Sequence, residues 1–258
     1  MEDYVAQAMA LAAMAKAKGI AGGSYTKAET DELLANKPGE ITTGKQYTIG
    51  GQTVTAGTGA EVFNALTNNK AAGEYSHAEG SWTTASGAQS HSEGGGTTAS
   101  GDQSHAEGAG TTASGVQSHA EGQGTMASGV QSHAEGSGTT ASGVQSHAEG
   151  AGTKASGAHS HAEGGGTTAS SAQSHAEGEG TKASSANQHV QGKYNEEDAN
   201  GTYAFIIGNG TVNARHNAFA IDWNGLIYVN GAATGVNVAT LAADLAALTT
   251  RVAALENQ

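Results

Sequence analysis

Ser104-His-Ala-Glu-Gly-Ala-Gly-Thr-Thr-Ala-Ser-Gly-Val-Gln117 is one unit of a motif that recurs along the middle of the chain. Histidine stands at 77, 91, 105, 119, 133, 147, 161, 175 and 189, always 14 residues apart. Glutamate follows two residues after each of the first eight, from Glu79 to Glu177, and a glycine follows each glutamate. A spacing held over nine registers marks a repeat architecture, in which each unit buries its faces against its neighbours. Helical repeats need roughly 33 residues or more, so a shorter unit with two glycine-marked corners predicts a coil of two short strands and two tight turns.

Side chains alternate between faces along a strand. Ser104, Ala106 and Gly108 share one face, with His105 and Glu107 opposite. Thr111, Ala113 and Gly115 share a face of the second strand, with Thr112 and Ser114 opposite. So short a coil leaves little space between its layers, and the Ser/Ala/Gly and Thr/Ala/Gly faces are expected inside. Such an interior buries little apolar area. At about 25 cal/mol per Å² it does not offset roughly 1–2 kcal/mol of backbone ordering per residue. One roll alone is expected to be unstable, and several packed side by side to be stable.

The outer face that packs is read from uniformity within this one chain. The histidine position never varies and the glutamate position varies only at Gln191, whereas the Thr112-type position accepts Met126, Lys154 and Lys182. Lysine is what solvent permits; identity is what a partly buried interface demands. The interface between chains is therefore expected on His105, Glu107, His119, Glu121, His133 and Glu135, a histidine of one chain hydrogen-bonding a glutamate of the next.

Composition agrees with a repeat and excludes other classes. Glycine supplies 40 of 258 residues, charged residues 14% and aromatics 5%, with a single proline, Pro38. That is too few large apolar residues for one globular core of this length, too regular for disorder, and without the Gly-X-Y period of collagen. The net charge of −13 argues against nucleic acid and anionic lipid as partners. No stretch reaches the roughly 18 apolar residues of a membrane span, so no membrane insertion is expected. The start, Met1-Glu2-Asp3-Tyr4, lacks the basic region of a secretory signal. The absence of cysteine leaves the redox compartment open.

The flanks divide the chain further. Residues 1–37 read as short helices, the second opened by the capping box Thr26-Lys-Ala-Glu29. A connector, 38–75, contains the strand-like run Tyr47–Val54 and a short helix from Glu61 to Leu66. The roll occupies 76–192. A small β module, 193–235, follows, with strand-like segments at Tyr203–Ile207, Ala218–Asp222 and Leu226–Val229. In the last part, 236–258, apolar residues fall at Val238, Leu241, Leu245, Leu248, Val252 and Leu255, in alternating steps of 3 and 4. That is a three-heptad coiled coil, with Leu241, Leu248 and Leu255 at every d position.

Ser-x-Ala-x-Gly followed by Ala-Ser-Gly on this period resembles the head repeat of trimeric autotransporter adhesins. The resemblance implies a trimer of left-handed parallel β-rolls with the x positions facing the trimer core; there that family carries aliphatic residues, here replaced by His and Glu. The Ser-His-Ala-Glu-Gly version, Ser24–Leu34 and the module after Gly192 resemble segments of phage tail proteins. The expected fold is thus mostly β: a trimeric left-handed parallel roll with N-terminal helices, a C-terminal β module and a trimeric coiled coil.

Histidine, glutamate and serine lie together in every unit, a set that could serve acid–base chemistry. A catalytic group is needed once, in one converging site, whereas these recur along a rod, so no enzyme and no cofactor is expected. Structural hydrogen bonding is the favoured role of the histidines, with an axial metal column on His77, His91, His105, His119, His133, His147, His161, His175 and His189 as the alternative. Tyr203, Trp223 and Tyr228 could form a ligand platform, or simply be core. The function expected is that of a structural fibre of a phage tail or appendage, assembled in the host cytoplasm and carried on the virion. Its partners would be two further copies, other tail or baseplate proteins, and a host-surface glycan or protein. The alternatives are a bacterial surface adhesin, which would need a signal peptide and a membrane anchor not seen here, and a fibre-borne glycan-degrading enzyme.

Overall fold

The computed structural model describes residues 68–229 throughout. Outside them it describes 57, 60, the strands Glu40–Thr42, Gln46–Ile49, Gln52–Thr55, Glu61–Phe63 and Ala232–Asn237, and the helix Leu241–Glu256. The helices expected in 1–37 lie outside the described residues, as does Val238.

Each 14-residue unit makes one turn of a parallel β-solenoid. A five-residue strand such as His105–Ala109 is followed by a turn, a two-residue strand such as Thr112–Ala113, and a second turn. Long strands pair in register with their neighbours, His105 beside His119 and Glu107 beside Glu121. Short strands pair likewise, Thr112 beside Met126. The long strands belong to one 15-stranded sheet and the short ones to a 9-stranded sheet.

The interior is the one expected. Ala106, Ala113 and Thr111 are fully buried and Ser104 nearly so, and the alanines form one continuous core along the roll. Ser104 Oγ donates to the Gly101 carbonyl at 2.6 Å, which ties the corner closed and recurs in the adjacent coils. Gly115 is buried, and the coils approach so closely there that an added Cβ would lie 1.9 Å from the Gly129 carbonyl of the next coil. Gly108 departs from the expectation: it is exposed rather than interior. Its φ of +104° turns the chain out of the strand's alternation, and a Cβ would meet the Gly122 carbonyl at 2.2 Å.

The solenoid extends beyond the uniform repeats at both ends. Of the helix expected over Glu61–Leu66, residues 64–66 lie outside the described residues, and Glu61–Phe63 is a strand parallel to the one containing His77, with Val62 beside Ala78. It takes strand form because its neighbour offers an open edge of backbone donors and acceptors, which a helix in its place would leave unmet. The run Tyr47–Val54 is not one strand but two, paired antiparallel with Tyr47 opposite Val54. At the other end Tyr203–Asn209 pairs in parallel with His189–Lys193. Three antiparallel strands follow, Asn217–Asp222, Leu226–Val229 and Ala232–Asn237, so the β module prolongs the long-strand sheet without a break.

Asparagine closes the threonine column at both ends. Asn69 and Asn195 stand one period before Thr83 and one period after Thr181. The Asn69 Oδ1 accepts the Thr83 amide at 3.1 Å, and its Nδ2 donates to the Gly80 carbonyl at 2.9 Å. Asn195 Oδ1 accepts the Lys182 amide at 2.8 Å, while its Nδ2 donates to the Lys182 carbonyl at 3.0 Å. Gln188, in the serine column, is fully buried and donates to Asp198 Oδ2 and the Tyr203 carbonyl. These carboxamides satisfy backbone groups that a further coil would otherwise meet.

Candidate functional site

The strands place every repeat histidine and glutamate on one outer face of the long-strand sheet. Because neighbouring coils pair in strict register, the rings form a column. From His91 to His161 successive centroids are 4.7–4.8 Å apart, with planes within 4–6° of parallel. The column ends on aromatic carbon: Phe205 is paired beside His189, and their rings meet edge-on at 5.4 Å. Sequence reasoning read Phe205 only as one of the module's aromatics and not as the end of this column, because two extra residues between His189 and the next parallel strand break the 14-residue count.

The rings are half-buried, His105 and Glu107 side chains being 36% and 32% exposed. Their Nε2 atoms are another matter. From His91 to His189 each Nε2 is covered and makes no hydrogen bond. The glutamates run alongside at ion-pair range without hydrogen-bond geometry: His119 Nε2 lies 3.7 Å from both Glu107 and Glu121, and His147 Nε2 lies 3.4 Å from Glu135. Only at the N-terminal end does a contact qualify, His77 Nε2 to Glu79 Oε2 at 3.4 Å.

Burial, and then the neighbouring ring, hold the His105 and His119 pKa below 6.5; His91 is lowered by burial and by rings on both sides. These three favour the neutral imidazole. Glu107 moves the opposite way: the Glu121 carboxyl sharing a proton with it, then burial and Glu93, raise its pKa above 4.5. The face therefore carries two parallel columns whose charged forms repel their own kind.

The corner that leads into each long strand holds a ladder that sequence reasoning also missed. Gln103 Nε2 donates to Gln89 Oε1 at 3.0 Å, and the same bond joins Gln117, Gln131 and Gln145 in succession. Each glutamine has a positive φ near 57°, a backbone setting uncommon outside glycine. The recurrence of Gln at a corner was the available signal.

The remaining predicted residues separate. Tyr203 and Tyr228 meet edge-on at 5.0 Å and pack against the module's core, whereas Trp223 sits in the turn before Leu226 and is 54% exposed. Leu245, Leu248, Val252 and Leu255 all lie exposed on the terminal helix, which Leu241 opens. Among the described residues no helix is long and apolar enough to cross a membrane. In comparisons with known proteins, no family model matches this chain and no curated protein is similar to it.

Proposed function

We propose that this chain is the subunit of a trimeric structural fibre, of the phage tail or appendage type, whose roll is a spacer and whose C-terminal β module meets a host surface. The observation that carries the reading is the uncovered stripe Leu245, Leu248, Val252 and Leu255, exposed by 45–69% on a single helix. Leucine and valine in steps of 3 and 4 are the seam of a coiled coil, and a second and third copy are the natural cover. The roll supports the same reading: its interior of Ala, Ser and Thr is poor in apolar area, and lateral packing of like rolls would add what it lacks. In this arrangement the His/Glu face turns toward the partner chains and the Thr112 face, with Lys154 and Lys182, toward water.

The role on a virion rests on the resemblance of the repeat and the module to phage tail proteins. Immunogold labelling of particles that encode the chain is expected to decorate an appendage. Purified protein is expected to reduce adsorption of those particles to their host, and a chain lacking 193–235 is expected not to. Labelling confined to the bacterial cell surface would move the protein to the adhesin class.

A further inference from the structure

His119, Glu121 and His133 bring three potential ligand atoms within 4.8 Å of one another. Comparable sets are centred on Glu79, Glu149 and Glu177, each with the histidine two residues before it and the histidine twelve residues after. A further set, centred on Glu163, borrows a histidine from each of two neighbours, so four sets can be filled at once. Independently of this grouping, the Nε2 atoms of the column from His91 onward are covered and without hydrogen-bond partners. Covered, unpartnered ring nitrogens beside carboxylates make a ligand set for a cation, each ring binding through Nε2 in the tautomer that carries its proton on Nδ1.

We propose that the column binds divalent first-row transition ions, Zn²⁺ being the reference case, at one ion per set and up to four per chain. Two imidazoles and one carboxylate suit zinc and its neighbours; magnesium and calcium take oxygen alone. With Zn–N bonds of about 2.0–2.1 Å, two tetrahedral nitrogen ligands stand roughly 3.4 Å apart. The stacked rings, 4.8 Å between centroids at His119 and His133, must therefore tilt toward each other. Tilting one pair together opens the gap to the next ring, which favours sets that share no histidine. The inference requires only one chain's residues and does not rest on the fibre reading.

The test is zinc uptake by the chelator-treated full chain, followed by equilibrium dialysis with metal analysis and by thermal unfolding. Wild type is expected to take up close to four Zn²⁺ per chain, to ignore Mg²⁺, and to unfold at higher temperature when loaded. The variant Glu79→Gln/Glu121→Gln/Glu149→Gln/Glu177→Gln carries the side chain that Gln191 already places at this position in the last coil, and its own unfolding in chelator is the baseline from which its zinc-dependent shift is read. Its zinc affinity is expected to fall by at least about tenfold, the lower bound for disturbing even an indirect ligand contact. Uptake below one zinc per wild-type chain, or equal affinity in the variant, overturns the proposal. Should the variant fail to fold, Co²⁺ added to wild type decides: a tetrahedral visible band supports the site, and the spectrum of the hydrated ion refutes it. Chain mass in chelator reports on the fibre separately.

Discussion

A single hydroxyl shows how closely the interior is balanced. Ser92 stands where other coils carry alanine, and its Oγ pairs with Thr97 Oγ1 at 2.7 Å in the core. In the next coils the corresponding threonine hydroxyls, Thr111 and Thr125 among them, are buried without a partner. Ser92→Ala is expected to destabilise the chain by about 1 kcal/mol, and Ala106→Ser, which offers Thr111 the same bond, to stabilise it by a similar amount. Equilibrium urea unfolding measures both. The histidine column gives a second expectation at this scale. His91, His105 and His119 have lowered pKa values, so between those values and 6.5 the unfolded chain binds more protons than the folded one. Stability then rises with pH, and is lost as pH falls below 6.5. Glu107 has a raised pKa and acts oppositely, the folded state holding the extra proton just above 4.5, so its contribution partly recovers on further acidification. Melting temperature in chelator is expected to drop from pH 7 toward pH 5.5, and to drop less in His105→Gln/His119→Gln.

At the scale of the element, the 14-residue period exposed the strands, the alanine core and the outward histidines, because identical side chains recur wherever a coil returns to the same face. Where the repeat is broken the sequence was harder to read. Gly108 looked interior by alternation, but its φ of +104° ends that alternation. Glu61–Phe63 looked helical because its pairing edge is supplied by a strand far enough along the chain that local pattern does not contain it. Asn69 and Asn195 fall on the threonine register and were legible in principle, yet their role depends on which backbone groups are left open at the two ends. The covered, unpartnered state of the Nε2 atoms was not legible at all, since it follows from ring stacking at a spacing that only the parallel register sets. Two insertions test the coil assignment. Fourteen residues added between coils are expected to lengthen the roll by one strand spacing of about 4.8 Å. Seven residues are expected to exchange long and short strands and abolish folding, as read by circular dichroism.

On the scale of the whole molecule, the account turns on which face meets the other chains and how many chains there are. Replacing His105, His119 and His133 with lysine would set cations against one another at a buried axis, at a cost of order several kcal/mol for each unpaired buried ion. Replacing Thr98, Thr112 and Thr140 with lysine is expected to be nearly silent, since Lys154 and Lys182 already occupy that column. A larger loss of melting temperature in the threonine set would turn the roll the other way round. The most direct measurement is the molecular mass in solution, by sedimentation equilibrium over a concentration range reaching below micromolar, with chelator present. The account predicts three times the chain mass of 25.4 kDa throughout that range. A folded species of one chain mass at micromolar concentration would contradict it.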